Sequence, residues 1–194
     1  SGARVAGTAT TDAGAEAIGK RLAGLADGCI GARLDVNDPE GAAALVGQVT
    51  ESLGTPTILV NNAGITRDQI LMRMKDEDWD VVIETNLRSV FRLSKACLRG
   101  MMKARGGRII NIASVVGSMC NPGPTNFAAA KAGLMGFTTS LAREIGSRGI
   151  TVNVSAPGFI DRDMTRGVDE TQREALMRDI PLRRLGGPGD IAAG

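Results

Sequence analysis

Short apolar runs alternate along this chain with longer segments in which apolar residues recur every three or four positions. Runs of this length, rich in Ile and Val, are typical of strands buried in a parallel sheet. The longer segments have the spacing of helices that pack by one face. The pattern predicts strands over 4–8, 29–36, 57–61, 108–114 and 150–155, and helices over 13–25, 38–53, 76–105, 125–148, 170–178 and 190–193.

Helix boundaries are marked by residues with known positional preferences. Asp38 is predicted to be an N-cap, with Pro39 in the first helical position and Glu40 in the first turn, of a helix that runs to about residue 53. The segment 76–105 is predicted to form two helical pieces, with Asp76 as the cap of the first. Gly149 is expected to end the helix over 125–148.

The alternation of strand and helix predicts a parallel sheet with helices on both faces. Right-handed crossovers then give an α/β, doubly wound, Rossmann-like fold. No internal repeat and no low-complexity linker divides the sequence. Residues 1–194 are therefore predicted to form a single domain.

Composition excludes several classes of protein. The 194 residues are 43% hydrophobic, enough for one domain with a core, and a net charge of +2 with both signs interspersed gives no nucleic-acid footprint. The chain has no histidine, which excludes a Ser-His-Asp triad and most zinc sites, so no metal is expected. No apolar run reaches the roughly 18 residues of a membrane span. Three cysteines without metal-like spacing fit free thiols in a reducing cytoplasm.

The clearest chemical pattern is a serine that ends a predicted strand, followed by an aromatic residue and a lysine on one helix. Ser114 closes the strand over 108–114, and Phe127 and Lys131 lie four residues apart, so their side chains share a helix face. A serine in this place is more often a turn former, and only its spacing to positions 127 and 131 favours a site. The chain contains no tyrosine.

Together with this spacing, several further segments resemble the short-chain dehydrogenase/reductase family. Within that family the resemblance is greatest to the ketoreductases that act on thioesters of acyl carrier protein in fatty-acid synthesis. It extends over nearly the whole chain. The segments that carry it are Leu34-Asp35-Val36, Asn61-Asn62-Ala63-Gly64, Ile65-Thr66-Arg67-Asp68, Met72-Arg73-Met74-Lys75-Asp76, Asn86, Ser114-Val115-Val116-Gly117, residues 128–133, Pro157-Gly158-Phe159-Ile160 and Asp163-Met164-Thr165.

The resemblance implies an NADPH site at the ends of several strands. In the family, the residue at Asp35 meets the adenine amino group, the stretch around Asn62 contacts the adenosine ribose, and the lysine at 131 binds the nicotinamide ribose. No acid stands at residues 7–10 to meet a free ribose 2′-hydroxyl, which favours NADPH. The cofactor-binding residues implied are Thr10, Asp35, Val36, Asn62, Ala63, Gly64, Lys131, Pro157, Gly158 and Ile160.

The resemblance also implies a catalytic set made of Asn86, Ser114, Phe127 and Lys131. In active members, the hydroxyl of residue 114 hydrogen-bonds the substrate carbonyl, and a tyrosine at 127 gives its proton to the carbonyl oxygen. The lysine lowers the pKa of that phenol, and Asn86 holds a water in a proton relay to the lysine. Phe127 has no proton to give, so reduced activity is expected.

Two arginines, Arg105 and Arg148, match positions that dock the acidic carrier protein in the family. An arginine in the last turn of a helix also has an ordinary explanation, since it interacts favourably with the helix dipole. The implied partners are an acyl carrier protein thioester as substrate and further subunits, in a homotetramer or in a hetero-oligomer with an intact paralogue. Neither nucleic acid nor a membrane is expected as a partner.

Phe127 is one of three departures from the family pattern. Arg162 stands where a threonine usually contacts the nicotinamide amide, and Pro124 replaces a residue that is commonly glutamine. Three functions therefore stay open. They are an impaired NADPH-dependent ketoacyl reductase, a non-catalytic subunit or interaction module on the same fold, and another family reductase that acts on a small ketone.

The sequence starts at a segment that resembles the second strand of the family fold and stops before the last one. A fold without the first strand, the glycine-rich phosphate loop, the first helix and the last strand is therefore expected. In the strand order 3-2-1-4-5-6, the first strand lies between the second and the fourth. Two strands are consequently predicted to have unpaired edges that face a gap.

Overall fold

Five strands and seven α-helices alternate along the part of the chain that the structure describes. The structure is a computed structural model and describes residues 2–25, 27–119, 123–161, 177 and 180–193. Cys120, Arg162, the 163–165 motif and most of the helix predicted over 170–178 lie outside these residues. The strands are β1 (Ala6–Ala9), β2 (Ile30–Arg33), β3 (Ile58–Asn61), β4 (Gly107–Ile112) and β5 (Ile150–Ser155). The helices are α1 (Asp12–Ala23), α2 (Pro39–Leu53), α3 (Asp76–Ile83), α4 (Ser89–Ala104), α5 (Val116–Met119), α6 (Thr125–Ile145) and α7 (Pro188–Ala192), with a π-helical segment (Glu84–Arg88) and 3₁₀ turns at Leu71–Arg73 and Gly146–Arg148.

The strands form two parallel sheets, one with the order β1-β2 and one with the order β3-β4-β5. All three strand pairs are parallel, which confirms the predicted α/β fold class. The interruption expected in the sheet is also found, because β1 and β3 belong to different sheets. Within the described residues, β3 pairs only with β4, so its other edge has unpaired backbone groups.

Two helices join these sheets. α2 packs against α4, and Leu34, Val36 and Ala42 form a small core with Leu45 and Leu93. The predicted start of α2 is confirmed, since the Asp38 carboxylate accepts a hydrogen bond from the Glu40 amide at 3.0 Å. The two-stranded sheet is thus connected through α2 to the helices that cover the three-stranded sheet.

α1 lies very close to β2, and a glycine makes this approach possible. A Cβ added at Gly31 would lie 1.9 Å from the Ala15 carbonyl oxygen and 2.7 Å from the Gly19 nitrogen. Both atoms belong to the backbone of α1, so no rotamer change could relieve the clash. The spacing between α1 and β2 therefore depends on the absence of a side chain at residue 31.

Gly31→Ala is expected to lower the free energy of unfolding by about 3 kcal/mol, because α1 would have to move away from β2. Gly47→Ala is the matched control: Gly47 is exposed on α2 and no atom lies within 4 Å of an added Cβ. That substitution should stabilise the chain by about 0.5–1 kcal/mol through helix propensity. Denaturant unfolding of both variants measures the difference, and equal stabilities would contradict the packing described.

One face of the three-stranded sheet is covered by α4 and α6, and on the opposite face β3 is left largely uncovered by the described residues. Ile109 of β4 packs in the main core on the covered face. The other members of this core are Cys97, Met101, Ile145, Ile150 and Val152. On the opposite face, Ile58 and Val60 of β3 are 58% and 54% exposed. The hydrophobic side chains of β3 are therefore only partly buried by the residues described here.

Burial in this core raises the pKa of the Cys97 thiol from its ordinary 9.0 to about 11. The folded chain therefore holds the thiol proton more tightly than the unfolded chain does. Stability from this group should be intact below about pH 9 and should decline as the pH rises through about 11. The total loss is about 3 kcal/mol, at roughly 1.4 kcal/mol per pKa unit.

The Cys97 effect can be isolated by a difference measurement. Denaturant unfolding of the chain and of Cys97→Ala is followed across this alkaline range, and the variant should show the smaller decline. Parallel pH profiles for the two proteins would be inconsistent with a proton held by burial.

Two helix ends differ from the prediction. Asp76 is not the cap of α3: Lys75 is, because the Lys75 carbonyl accepts the first helical hydrogen bonds from the Asp78 and Trp79 amides at 3.1 Å. Asp76 instead lies in the first turn, where its charge faces the positive end of the helix dipole. The helix over 125–148 ends as an α-helix at residue 145 and continues as a 3₁₀ turn, which Gly149 closes with φ of 73°.

None of the described helices is both long and apolar enough to cross a membrane. Within the same parts of the chain, no group of three His, Cys, Asp or Glu side chains is placed to hold a metal ion.

Candidate active site

Ser114 lies in the loop that leaves the carboxyl end of β4. Its hydroxyl oxygen accepts a hydrogen bond from the Val116 amide at 3.3 Å, which closes a tight turn into α5. The neighbouring Val115 amide donates to the Pro157 carbonyl at 3.0 Å. The loops after β4 and β5 are therefore held together, and the Ser114 hydroxyl hydrogen is left available for another acceptor.

Lys131 extends from α6 to the same end of β4. Its side chain is almost completely buried, since the residue is only 4% exposed. Nζ donates to the Ile112 carbonyl at 2.7 Å, two residues before Ser114, and lies 5.5 Å from the centre of the Phe127 ring. Ser114 and the Lys131 ammonium therefore both lie at the carboxyl end of β4.

Asn86 is fully buried in the π-helical segment between α3 and α4. Its Nδ2 donates to the Ile65 carbonyl at 2.8 Å, and its Oδ1 accepts from the Ile65 amide at 2.9 Å. The amide therefore binds the loop after β3 as a neighbouring strand would. π-Helical segments of this kind occur frequently at functional sites.

Gly64 lies between Asn86 and Lys131. A Cβ at this position would lie 2.7 Å from the Asn86 Oδ1 and 3.6 Å from the Lys131 Nζ. Because Asn86 is fixed by both hydrogen bonds to Ile65, it has little room to move aside. Three residues that are far apart in sequence thus meet at the carboxyl ends of β3 and β4.

The residues predicted to bind the cofactor follow the strand ends in order. Thr10 follows β1, residues 62–64 follow β3, and Pro157, Gly158 and Ile160 follow β5. Thr10, residues 62–64 and Gly158 are exposed, whereas Pro157 and Ile160 are partly buried. In a parallel sheet, this edge is where ligands bind.

The loop after β2 is tied to the residue next to Asn86. The Thr85 hydroxyl donates to the Asn37 Oδ1 at 3.1 Å, and Arg92 Nη1 donates to the Asn37 carbonyl at 3.2 Å. In the same loop Asp35 is exposed, with its Oδ1 accepting from the Asn37 amide at 2.9 Å, and Val36 is buried. The loop that carries Asp35 and Val36, the residues predicted to lie near the adenine, is therefore connected through the π-helical segment to the predicted catalytic residue Asn86.

Comparison with known proteins identifies the family of this chain. A family model described as short chain dehydrogenase matches residues 1–173. The chain belongs to this family. It is 61% identical over 193 residues to the 3-oxoacyl-(acyl-carrier-protein) reductase FabG of Pseudomonas aeruginosa, with 98% of this chain and 77% of that protein covered. The reductases of the same name from Vibrio cholerae and Escherichia coli K12 are each 56% identical, with 99% and 98% of this chain and 78% and 77% of those proteins covered.

The family resemblance predicted from the motifs is thus confirmed, as is the similarity to 3-oxoacyl-(acyl-carrier-protein) reductases. Among the residues of this short-chain dehydrogenase, Phe127 is partly buried and its ring faces the Lys131 ammonium. The catalytic roles of Asn86, Ser114, Phe127 and Lys131 stay predictions, now with a defined geometry.

Arg105 and Arg148 lie at the opposite end of the strands. Arg105 follows α4 in a left-handed conformation, and a Cβ at Gly149 would lie 2.9 Å from its carbonyl oxygen. The two exposed arginines therefore neighbour each other at the amino ends of β4 and β5. β4 and β5 have six residues each and therefore span about 20 Å, at roughly 3.3 Å per residue. The length of these strands separates the two arginines from Ser114 of the same chain.

Asn126 is a residue of this site that the sequence did not single out. It is fully buried beside Phe127 and hydrogen-bonds three different parts of the chain. The signal available in the sequence was weak: a polar residue in the first turn of a predicted helix, where asparagine is common. Only its burial distinguishes it from an ordinary helix-terminal asparagine.

Proposed function

We propose that this chain has the site of an NADPH-dependent reductase for 3-oxoacyl thioesters of acyl carrier protein, with activity impaired by Phe127. The observation that carries the proposal is the position of Lys131, buried at the end of β4 with Nζ at 2.7 Å from the Ile112 carbonyl and 5.5 Å from the Phe127 ring. Similarity to reductases of that name supports the substrate class.

The residues present fit the two ribose-bearing parts of NADPH. Residues 62–64 are exposed at the carboxyl end of β3, where a ligand can approach, and a side chain at Gly64 would collide with Asn86. Asp35 would bind the adenine amino group through the carboxylate oxygen that does not accept from Asn37, and Lys131 would bind the nicotinamide ribose. When bound, the cofactor supplies a hydride.

The protein's own groups would act on the substrate carbonyl as follows. The Ser114 hydroxyl donates a hydrogen bond to the carbonyl oxygen, because its own oxygen already accepts from Val116. Phe127 has no hydroxyl group and cannot donate a proton to the carbonyl oxygen, so the proton must come from water or from Ser114. Loss of a general acid of this kind costs about 10²–10⁴ in rate.

A non-catalytic subunit is the second candidate function. It is favoured by Phe127, because an aromatic ring packed on the Lys131 ammonium keeps the site's shape without its acid. Exposed Phe91 and Met102 on α4 would then contact another subunit, in a homotetramer or beside an intact paralogue. Either function is compatible with docking of the carrier protein at Arg105 and Arg148. Either is also compatible with a cytoplasmic location.

NADPH binding by the chain is the experiment that tests the proposed function. Trp79 is the only tryptophan and no tyrosine is present, so energy transfer from Trp79 to the reduced nicotinamide reports binding without other emitters. We expect saturable energy transfer with NADPH and weaker transfer with NADH. Residues 7–10 contain no carboxylate to bind the free 2′-hydroxyl of the adenosine ribose in NADH. No saturable binding by the chain or by Phe127→Tyr would reject the enzyme function and leave the subunit.

A further inference from the structure

Asn126 uses its whole side-chain amide to connect separate segments. Its Nδ2 donates to the Arg67 carbonyl at 3.0 Å and to the Asp78 carbonyl at 3.2 Å. Its Oδ1 accepts from the Phe127 amide at 2.8 Å. Asn126 is fully buried. Both N–H donors of its side-chain amide, and one of the two acceptor positions of its oxygen, are therefore hydrogen-bonded within the protein.

The segments that Asn126 connects meet beside residue 127. Arg67 lies in the loop that begins at Gly64 and Ile65, and Asp78 lies in the first turn of α3. A bridge between Gln69 and Pro124 joins the same loop to the start of α6. The loop, α3 and α6 are thus held together where α6 begins.

Among the residues that the structure describes, no other side chain caps the start of α6. Pro124 occupies the cap position and makes no side-chain hydrogen bond, and the first helical bond runs from Ala128 to the Pro124 carbonyl at 2.8 Å. The Phe127 amide is one of the donors that an α-helix leaves unpaired at its N-terminus. Asn126 satisfies it, so Asn126 replaces the missing cap for the turn that includes residue 127.

We infer that Asn126 is a positioning residue: it fixes the side chain at position 127 relative to Lys131 and holds the loop over 65–69 against the same turn. This inference rests on the proposed function, because the separation between residue 127 and Lys131 matters for proton transfer to a carbonyl. Asn126 acts only through its neighbours.

A buried asparagine could instead serve only the stability of the fold, and Asn111 provides the comparison. Asn111 is also fully buried, with its Oδ1 accepting from Asn61 and its Nδ2 donating to Thr138, both at 2.8 Å. It belongs to β4, the middle strand of the three-stranded sheet, and its side chain links β3 to α6. Asn111→Ala therefore removes a similar amount of buried hydrogen bonding without touching the turn that includes residue 127.

The test uses the phenol of Phe127→Tyr, which is the only tyrosine in the protein. Its ionisation is followed by tyrosinate absorbance, with no cofactor or turnover required. In Phe127→Tyr the phenol is expected to titrate about 1–3 units below the ordinary value of about 10, because of the Lys131 ammonium. Adding Asn126→Ala should raise this pKa by at least about one unit, whereas adding Asn111→Ala should leave it unchanged within about 0.3 units.

An equal phenol pKa with and without Asn126→Ala would overturn the inference, and so would equal shifts from Asn126→Ala and Asn111→Ala. If Asn126→Ala shows no cooperative unfolding transition, Asn126→Ser takes its place. Its hydroxyl can still accept from residue 127 but cannot bind both carbonyls, and the same criteria apply. NADPH binding by the unsubstituted chain is measured separately, so failure of the proposed function and failure of the positioning role are distinguished.

Discussion

Phe127→Tyr is expected to raise the rate of NADPH-dependent reduction of an acetoacetyl thioester by about 10²–10⁴-fold. The new phenol would lie at the Phe127 ring position, with the Lys131 ammonium 5.5 Å from the ring centre and the Ser114 hydroxyl at the end of the adjoining strand. The ammonium stabilises the phenolate that remains after proton transfer. Loss of reduced-nicotinamide absorbance in steady-state assays measures the gain, with NADPH affinity measured in parallel.

Phe91→Tyr is a closely matched control. Phe91 and Lys95 are also four residues apart on one helix, with the Lys95 Nζ 5.6 Å from the ring centre. Phe91 is exposed on α4, whereas Ser114 and Lys131 belong to the loop after β4 and to α6, so a phenol at residue 91 should leave the rate unchanged. A comparable gain from both variants would mean that the added hydroxyl acts non-specifically. No gain from Phe127→Tyr, despite NADPH binding, would favour the non-catalytic subunit.

The control also shows how much of the site the sequence could predict. Spacing alone identifies two aromatic-lysine pairs on helices, at 91 and 95 and at 127 and 131, and the structure finds the same geometry in both. Local periodicity predicts this reliably, because residues four apart share a helix face. It cannot say which pair lies at a strand end, since that depends on how distant segments pack.

Strand boundaries show the same difference between what local sequence predicts and what depends on packing of distant segments. The strand predicted over 150–155 is found at Ile150–Ser155, between the left-handed Gly149 and Pro157, two residues with strong backbone preferences. The strand predicted over 29–36 is shorter and ends at Arg33. The Leu34 amide still donates to the Ala9 carbonyl at 2.8 Å, and beyond it the Leu34 and Val36 side chains pack against α2 in the following loop. A hydrophobic run therefore indicates burial but does not determine whether a strand or the following loop is buried.

The π-helical segment and the Gly64 contact could not be predicted at all. One wider turn at Glu84–Arg88 leaves the helical pattern of apolar residues almost unchanged, yet it directs Thr85 to Asn37 and Asn86 to Ile65. These partners are 48 and 21 residues away in sequence. The site is therefore produced by long-range hydrogen bonds from residues whose types are common in helices and loops.

Lys131→Met is expected to separate the function of this site from its stability. In the Phe127→Tyr background, the rate of thioester reduction should fall by about 10²–10⁴-fold, because the phenol loses its ammonium partner and its pKa returns to about 10. In the unsubstituted chain, NADPH affinity should fall as well, since the proposed ribose contact is removed. Tyrosinate titration, steady-state rates and Trp79 energy transfer measure these three effects.

The stability of Lys131→Met should change by less than about 1.5 kcal/mol, because two effects oppose each other. The Ile112 carbonyl loses its hydrogen bond, which is unfavourable, while an ammonium on a side chain only 4% exposed no longer has to be desolvated. Methionine fills a similar volume with an uncharged chain. A variant that unfolds would show that Lys131 is part of the core. One that keeps both its fold and its NADPH affinity would show that the buried ammonium has no part in cofactor binding, and the proposed site would lose its main support.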